Sequence, residues 1–163
     1  MSTPRRPHSL SMTVLMTPDM ANFSGNVHGG HLLKILDHVA YTCATRYAGT
    51  YVVTLSVDRV LFRGPIHVGE LVTFSASVNY TGRTSMEVGI RVETEDITTQ
   101  AIRHTNSSYF TMVAVDSNGI PTEISPIEPT TDIARRRFDN ARQRRRAQRA
   151  TFSSPHNIPP DGT

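Results

Sequence analysis

The stretch "LVTFSASVNY" (residues 71–80) alternates without a break. Val72, Phe74, Ala76, Val78 and Tyr80 share one side, and Thr73, Ser75, Ser77 and Asn79 share the other. A two-residue period of this length predicts a β-strand with one covered face. After Thr81-Gly82-Arg83 the period resumes in "SMEVGIRVE" through Met86, Val88, Ile90 and Val92, so the two segments form a hairpin. "AIRHTNSSYFTMVAVD" predicts another long strand, stopped by the turn residues Asp116-Ser117-Asn118-Gly119. "YVVTLSVDRVLF" predicts one more, with Val53, Leu55 and Val57 on its apolar side. Its period slips to Val60 and Phe62, which places a β-bulge near Asp58–Arg59. "SLSMTVLM" (residues 9–16) reads as a short strand ended by Thr17-Pro18-Asp19.

A sheet that is apolar on one side must cover something. The one sizeable apolar element available is a helix predicted from near Gly29 to about Tyr47, with Gly49 as its stop. At 100° per residue Leu32, Leu36, Val39, Cys43 and Tyr47 form a narrow stripe, and Leu33, Ala40 and Ala44 widen it. The expected class is therefore α+β, one long helix wrapped by a curled, mostly antiparallel sheet of four or five strands.

At 163 residues the chain has enough length for one domain with a real core, expected over residues 9–129. Residues 1–8 are expected to be flexible. Residues 130–163 follow a proline-rich connector and read as an Arg-rich helix from Asp132 to about Ala150, then a disordered tail. Charge divides the same way. Residues 1–131 hold 9 basic and 11 acidic side chains, whereas residues 132–163 hold 8 arginines and 3 aspartates. The globular part therefore offers no electrostatic case for nucleic acid. No apolar run reaches the ~18 residues of a membrane span. The lone cysteine, Cys43, rules out an internal disulfide, and a cytoplasmic location is expected.

Candidate chemistry lies at the start of the helix, in Asn26, His28, Gly29, Gly30 and Asp37. The glycine pair allows close backbone approach, and N–H groups of a first helical turn lack intrahelical partners. Such a turn suits a developing oxyanion. Asp37 sits on the margin of the apolar stripe, about two turns or ~11 Å further along the axis, too far to share an atom with Gly30 in one chain. His28 and His31 lack a third ligand at suitable spacing, so no metal is expected. On these residues alone, a turn and a salt-bridging carboxylate remain as open as an active site.

The order Asn-x-His-Gly-Gly-x-x-Leu-x-x-x-Asp in "NVHGGHLLKILD" resembles the signature of hotdog-fold acyl-CoA thioesterases, in their cytosolic acyl-CoA hydrolase branch. "VTLSVDRVLFRGPIHVGE", "YTGRTSMEVGIRVETED" and "HTNSSYFTMVAVD" extend the likeness over roughly residues 11–129. The resemblance implies a hotdog fold and hydrolysis of fatty acyl-CoA to free acid and coenzyme A. Coenzyme A would be part of substrate and product, with no separate cofactor.

It also implies a homodimer, and in some relatives a trimer of dimers, with the site at the subunit boundary. Asp37 of one protomer would be general base or nucleophile opposite its neighbour's Asn26 and Gly30. Asn26 would position water or the carbonyl, and the Gly30 amide, helped by Gly29, would hold the oxyanion. His28 would line the site. Arg83, Thr84 and Ser85 in the hairpin turn would meet the nucleotide end, with Arg59 in second rank. Two other readings stand beside this one: a hotdog hydratase or dehydratase using His28 or His67, and a non-catalytic acyl-CoA sensor.

Overall fold

The computed structural model describes residues 6–153, so the first five residues and those after Ser153, including most of the tail expected to be disordered, lie outside the described part. The chain divides into two compact units, the first ending at Ile127 and the second beginning at Glu128.

In the first unit β1 (Ser9–Leu15) is followed by a 3-10 turn (Pro18–Met20), α1 (Gly29–Ala48), β2 (Val52–Asp58), β3 (Leu71–Thr81), β4 (Ser85–Glu95) and β5 (Ile102–Ala114). The five strands form one sheet in the order β1-β3-β4-β5-β2, and every neighbouring pair is antiparallel. β3 and β4 are joined by the tight turn that Gly82 closes onto the Ser85 carbonyl.

The alternation set by the strands becomes a layered core. Phe74, Ala76 and Val78 of β3 oppose Val92, Ile90 and Val88 of β4, and all six are buried. α1 lays Leu32, Leu36, Val39, Cys43 and Tyr47 into this core, the stripe expected from its period. Gly49 ends the helix at φ 70°, the left-handed conformation that costs a glycine nothing. Two residues of the expected loose start are engaged: Arg6 Nη1 donates to the Ala48 carbonyl at 2.5 Å, and the His8 carbonyl accepts from Val78 N.

β2 departs from expectation. It ends at Asp58, and its register shift falls between Thr54 and Ser56 rather than near Asp58–Arg59. Arg59, at φ 43°, turns the chain out of the strand. Its apolar side also differs: Val52 is buried while Val53, Leu55 and Val57 are exposed, Leu55 at 68%. β2 is an edge strand, and only its inner side faces α1. Residues 59–66 then run along β5 as irregular chain, tied by Arg63 N to the Thr105 carbonyl at 3.0 Å.

The second unit contains α2 (Asp132–Ser153). Thr131 Oγ1 accepts from Ala134 N at 3.1 Å as its cap, and Arg135 pairs with Asp132 in the first turn. No helix among the described residues is long and apolar enough to cross a membrane.

Candidate active site

The loop before α1 is organised by Asn22. Its Oδ1 accepts from Ser24 N at 2.9 Å and from Asn26 N at 3.1 Å, and Gly25 between them turns at φ 79°. Asn26 is then fixed from its other side, with Oδ1 2.9 Å from His67 Nδ1. His67 N is in turn bonded to Glu70 Oε2 at 2.7 Å, and Glu70 is paired with Arg103 Nη2 at 2.8 Å. A chain of polar contacts from β5 therefore sets the position of Asn26.

His28 is the N-cap of α1, with extended backbone. Its Nδ1 accepts from Gly30 N at 3.0 Å. The amide suited to an oxyanion is thus occupied by a side chain of the same loop. Gly29 leaves space beside it: a Cβ there would meet the Phe62 ring at 3.7 Å.

Asp37 stands half-buried at the margin of α1, where its period puts it. Thr54 Oγ1, on the inner side of β2, donates to Asp37 Oδ1 at 2.7 Å. Thr54 was not singled out in the sequence, because an alternating strand gives its threonines no distinguishing mark; only its partnership with a helix residue seventeen positions earlier does.

The structure brings Asn26, His28, Gly29 and Gly30 together and joins Asp37 to Thr54. It does not bring Arg83, Thr84 and Ser85 to them within one chain. That turn lies at the opposite end of α1, where the Thr84 carbonyl accepts from Ala114 N, and Val115 O from Thr50 Oγ1. Arg83 is exposed and faces Glu123 at 3.7 Å, while Ser85 is buried. Arg59 is exposed just beyond β2. Among the described residues no group of three His, Cys, Asp or Glu side chains is arranged to hold a metal ion.

One five-stranded antiparallel sheet packs on α1, with a glycine pair at the helix start and a carboxylate on its margin. Residues 24–101 match the model of the thioesterase superfamily. The chain is 55% identical over 136 residues to protein VdlD of Helicobacter pylori, covering 83% of this chain and 78% of that one. A hexameric acyl-CoA thioesterase superposes at TM-score 0.86 with 34% identity, over 90% of this chain and 94% of that one. The acyl-CoA hydrolase of Staphylococcus aureus, in complex with butyryl coenzyme A, coenzyme A and coenzyme A disulfide, superposes at TM-score 0.80 with 31% identity, over 88% and 90%. Variants of that hydrolase carry alanine at an asparagine, an aspartate fifteen residues later, or a threonine seventeen beyond the aspartate. The chain belongs to the hotdog-fold acyl-CoA thioesterases.

Proposed function

We propose that this protein hydrolyses fatty acyl-CoA to free acid and coenzyme A in the cytosol, at sites shared between two protomers. The observation that carries the reading is the bond from Thr54 to Asp37 at an edge strand whose outer side is apolar and uncovered. An exposed apolar strand edge is an association surface, because no strand runs beside it and its apolar side chains meet water. Pairing two copies along β2 closes that edge and brings each Asp37 toward the neighbouring chain. Within one chain the carboxylate and the first turn of α1 are separated by about two helical turns, ~11 Å.

The division of labour follows from the chemistry. A thioester has a good leaving group, so one base and one oxyanion site suffice. Asp37 Oδ2 takes no hydrogen bond from the described residues and serves as base or nucleophile, while Thr54 holds Oδ1. The partner's Gly30 amide, with Gly29 alongside, takes the developing oxyanion once the His28 ring swings off it. Asn26 orients water or the carbonyl.

Asn22 belongs to the same set. Asn22, Asp37 and Thr54 repeat the order and spacing of the three positions changed in the Staphylococcus aureus hydrolase. Arg83 and Thr84 serve the nucleotide end of the substrate bound at the neighbour's site, since they stand far from their own glycine pair. Arg59 lies nearer and assists, and buried Ser85 contributes by shaping the turn.

The experiment is release of thiol from acetyl-, butyryl- and palmitoyl-CoA followed with a chromogenic thiol reagent. Turnover of one or more is expected. No release at any chain length defeats the proposal.

A further inference from the structure

β5 puts two polar side chains on the covered face of the sheet. Asn106 and Ser108 stand in one row with Phe110 and Met112, the four opposite Val92, Ile90, Val88 and Met86 of β4 in turn. Asn106 is 1% exposed and Ser108 0%. Asn106 Oδ1 and Ser108 Oγ nevertheless have no hydrogen-bond partner among the described residues. Turning the amide does not help. Asn106 Nδ2 donates to the Leu61 carbonyl at 2.8 Å, and a carbonyl cannot donate, so the oxygen is necessarily the end left over. Unpaired buried polar atoms destabilise a fold that an apolar pair of similar size would not. Two of them on adjacent positions of one strand face call for a partner that arrives from outside.

Their position says which partner. Across the sheet from Ser108 come Ile90 and then Ala76, a small residue in the same row. Above Asn106 runs the irregular chain after β2, held by Leu61 and Arg63. The next residue, Phe62, lies against the first residue of α1. The orphan pair therefore sits beneath the segment that flanks the glycine pair. An acyl chain whose carbonyl is bound at Gly30 and whose tail enters the core meets this stretch of β5.

We infer that Asn106 and Ser108 form a polar subsite for the acyl group, and that it takes acyl-CoA whose chain carries a hydroxyl. The hydroxyl donates to Asn106 Oδ1 and accepts from Ser108 Oγ. Asn106 and Ser108 are neighbours on one face of β5, where two side chains can turn toward one ligand group. A plain alkyl chain leaves both protein atoms unpaired, which is how a hydrogen-bonding pocket rejects an analogue that lacks the group. This inference rests on the thioesterase reading above.

The test compares butyryl-CoA with 3-hydroxybutyryl-CoA and 4-hydroxybutyryl-CoA, measuring kcat/KM by thiol release and Kd by calorimetry, on the wild type and Ser108→Ala. The substitution removes a hydroxyl that bonds nothing in the fold, so Tm stays at or above the wild-type value. At least one hydroxylated substrate is expected to be favoured by about tenfold or more, and Ser108→Ala is expected to erase most of that preference. Equal constants for all three substrates, or a loss in the variant that falls on all alike, overturn the inference and leave a trapped water as the partner. Absence of turnover with every substrate would strike the thioesterase reading instead. The calorimetric constants then decide the subsite: equal Kd values overturn it, and tighter hydroxyacyl binding that Ser108→Ala abolishes supports it.

Discussion

Gly30 gives its backbone N–H to the imidazole of His28, so the first turn of α1 is closed by the residue that also borders the glycine pair. An N-cap of this kind contributes roughly 0.5–2 kcal/mol. His28→Ala is expected to lower Tm by about 2–4 °C, as a ~1 kcal/mol change does in a chain of this size. Hydrogen exchange at the Gly30 amide should quicken in the same variant, and His28→Asn, a competent cap, should restore both. Unchanged exchange in His28→Ala would show that the cap is not kept in solution.

Asp37 is the group on which turnover depends in the mechanism above. Asp37→Asn keeps the size of the side chain and its place at the helix margin but removes the base. A fall in kcat of about 100-fold or more is expected, within the range for losing an acid–base group, with Tm close to wild type. Steady-state assays on butyryl-CoA read the first quantity and calorimetry the second.

Thr54 acts through Asp37. Thr54→Val removes the donor at nearly constant volume, and a bond to a charged group contributes about 1.5–3 kcal/mol. A loss in kcat of about 10- to 100-fold is expected, with KM nearly unchanged, and Thr54→Ser should recover most of it. Failure of serine to rescue would mean that the β-branched shape, not the hydroxyl, matters at this point of β2.

The β2 edge should set the oligomeric state. Leu55 is exposed at 68% on the bulged part of the strand. Leu55→Lys places a charge where two apolar edges would meet, one of the devices by which native sheets prevent such pairing. Light scattering after size exclusion is expected to show a smaller species than the wild type, and thioesterase activity should fall with it. A monomer of full activity would show that one chain carries the whole site.

Cys43 lies in the central stripe of α1, where burial pushes its thiol up from an ordinary 9.0 to about 11. The thiol therefore stays protonated across the usual assay range. The native protein should not react with a thiol reagent at pH 8, while the unfolded chain reacts at one thiol, so the residue does not interfere with assays of coenzyme A release. The folded state holds this proton more tightly than the unfolded chain. Its contribution is complete below pH ~9 and is lost as pH rises toward 11, so stability should decline over that alkaline interval.

The strand periods and the apolar stripe were readable because each is a local pattern repeated many times. Val72 to Val78 cannot be misassigned without turning a whole face toward water, whereas past Val78 a register shift pairs Tyr80 with Glu87, takes it off the face its period predicted and buries Asn79. Gly49, Asp37's marginal place and the glycine pair were readable for the same reason: a helix of known pitch assigns every residue to a side. The bulge was displaced because its position depends on how β2 pairs with β5, and a period slip in one strand does not say which residue is left out of the ladder. Thr54, Asn22 and the orphan pair on β5 were invisible in the sequence, since serine, threonine and asparagine are ordinary on a strand or in a turn until something stands opposite them. The chain's own order of residues determined the elements and which faces they cover. Tertiary packing alone decided which polar atoms meet, because those contacts join positions far apart in the chain, and no local pattern carries information about their distance.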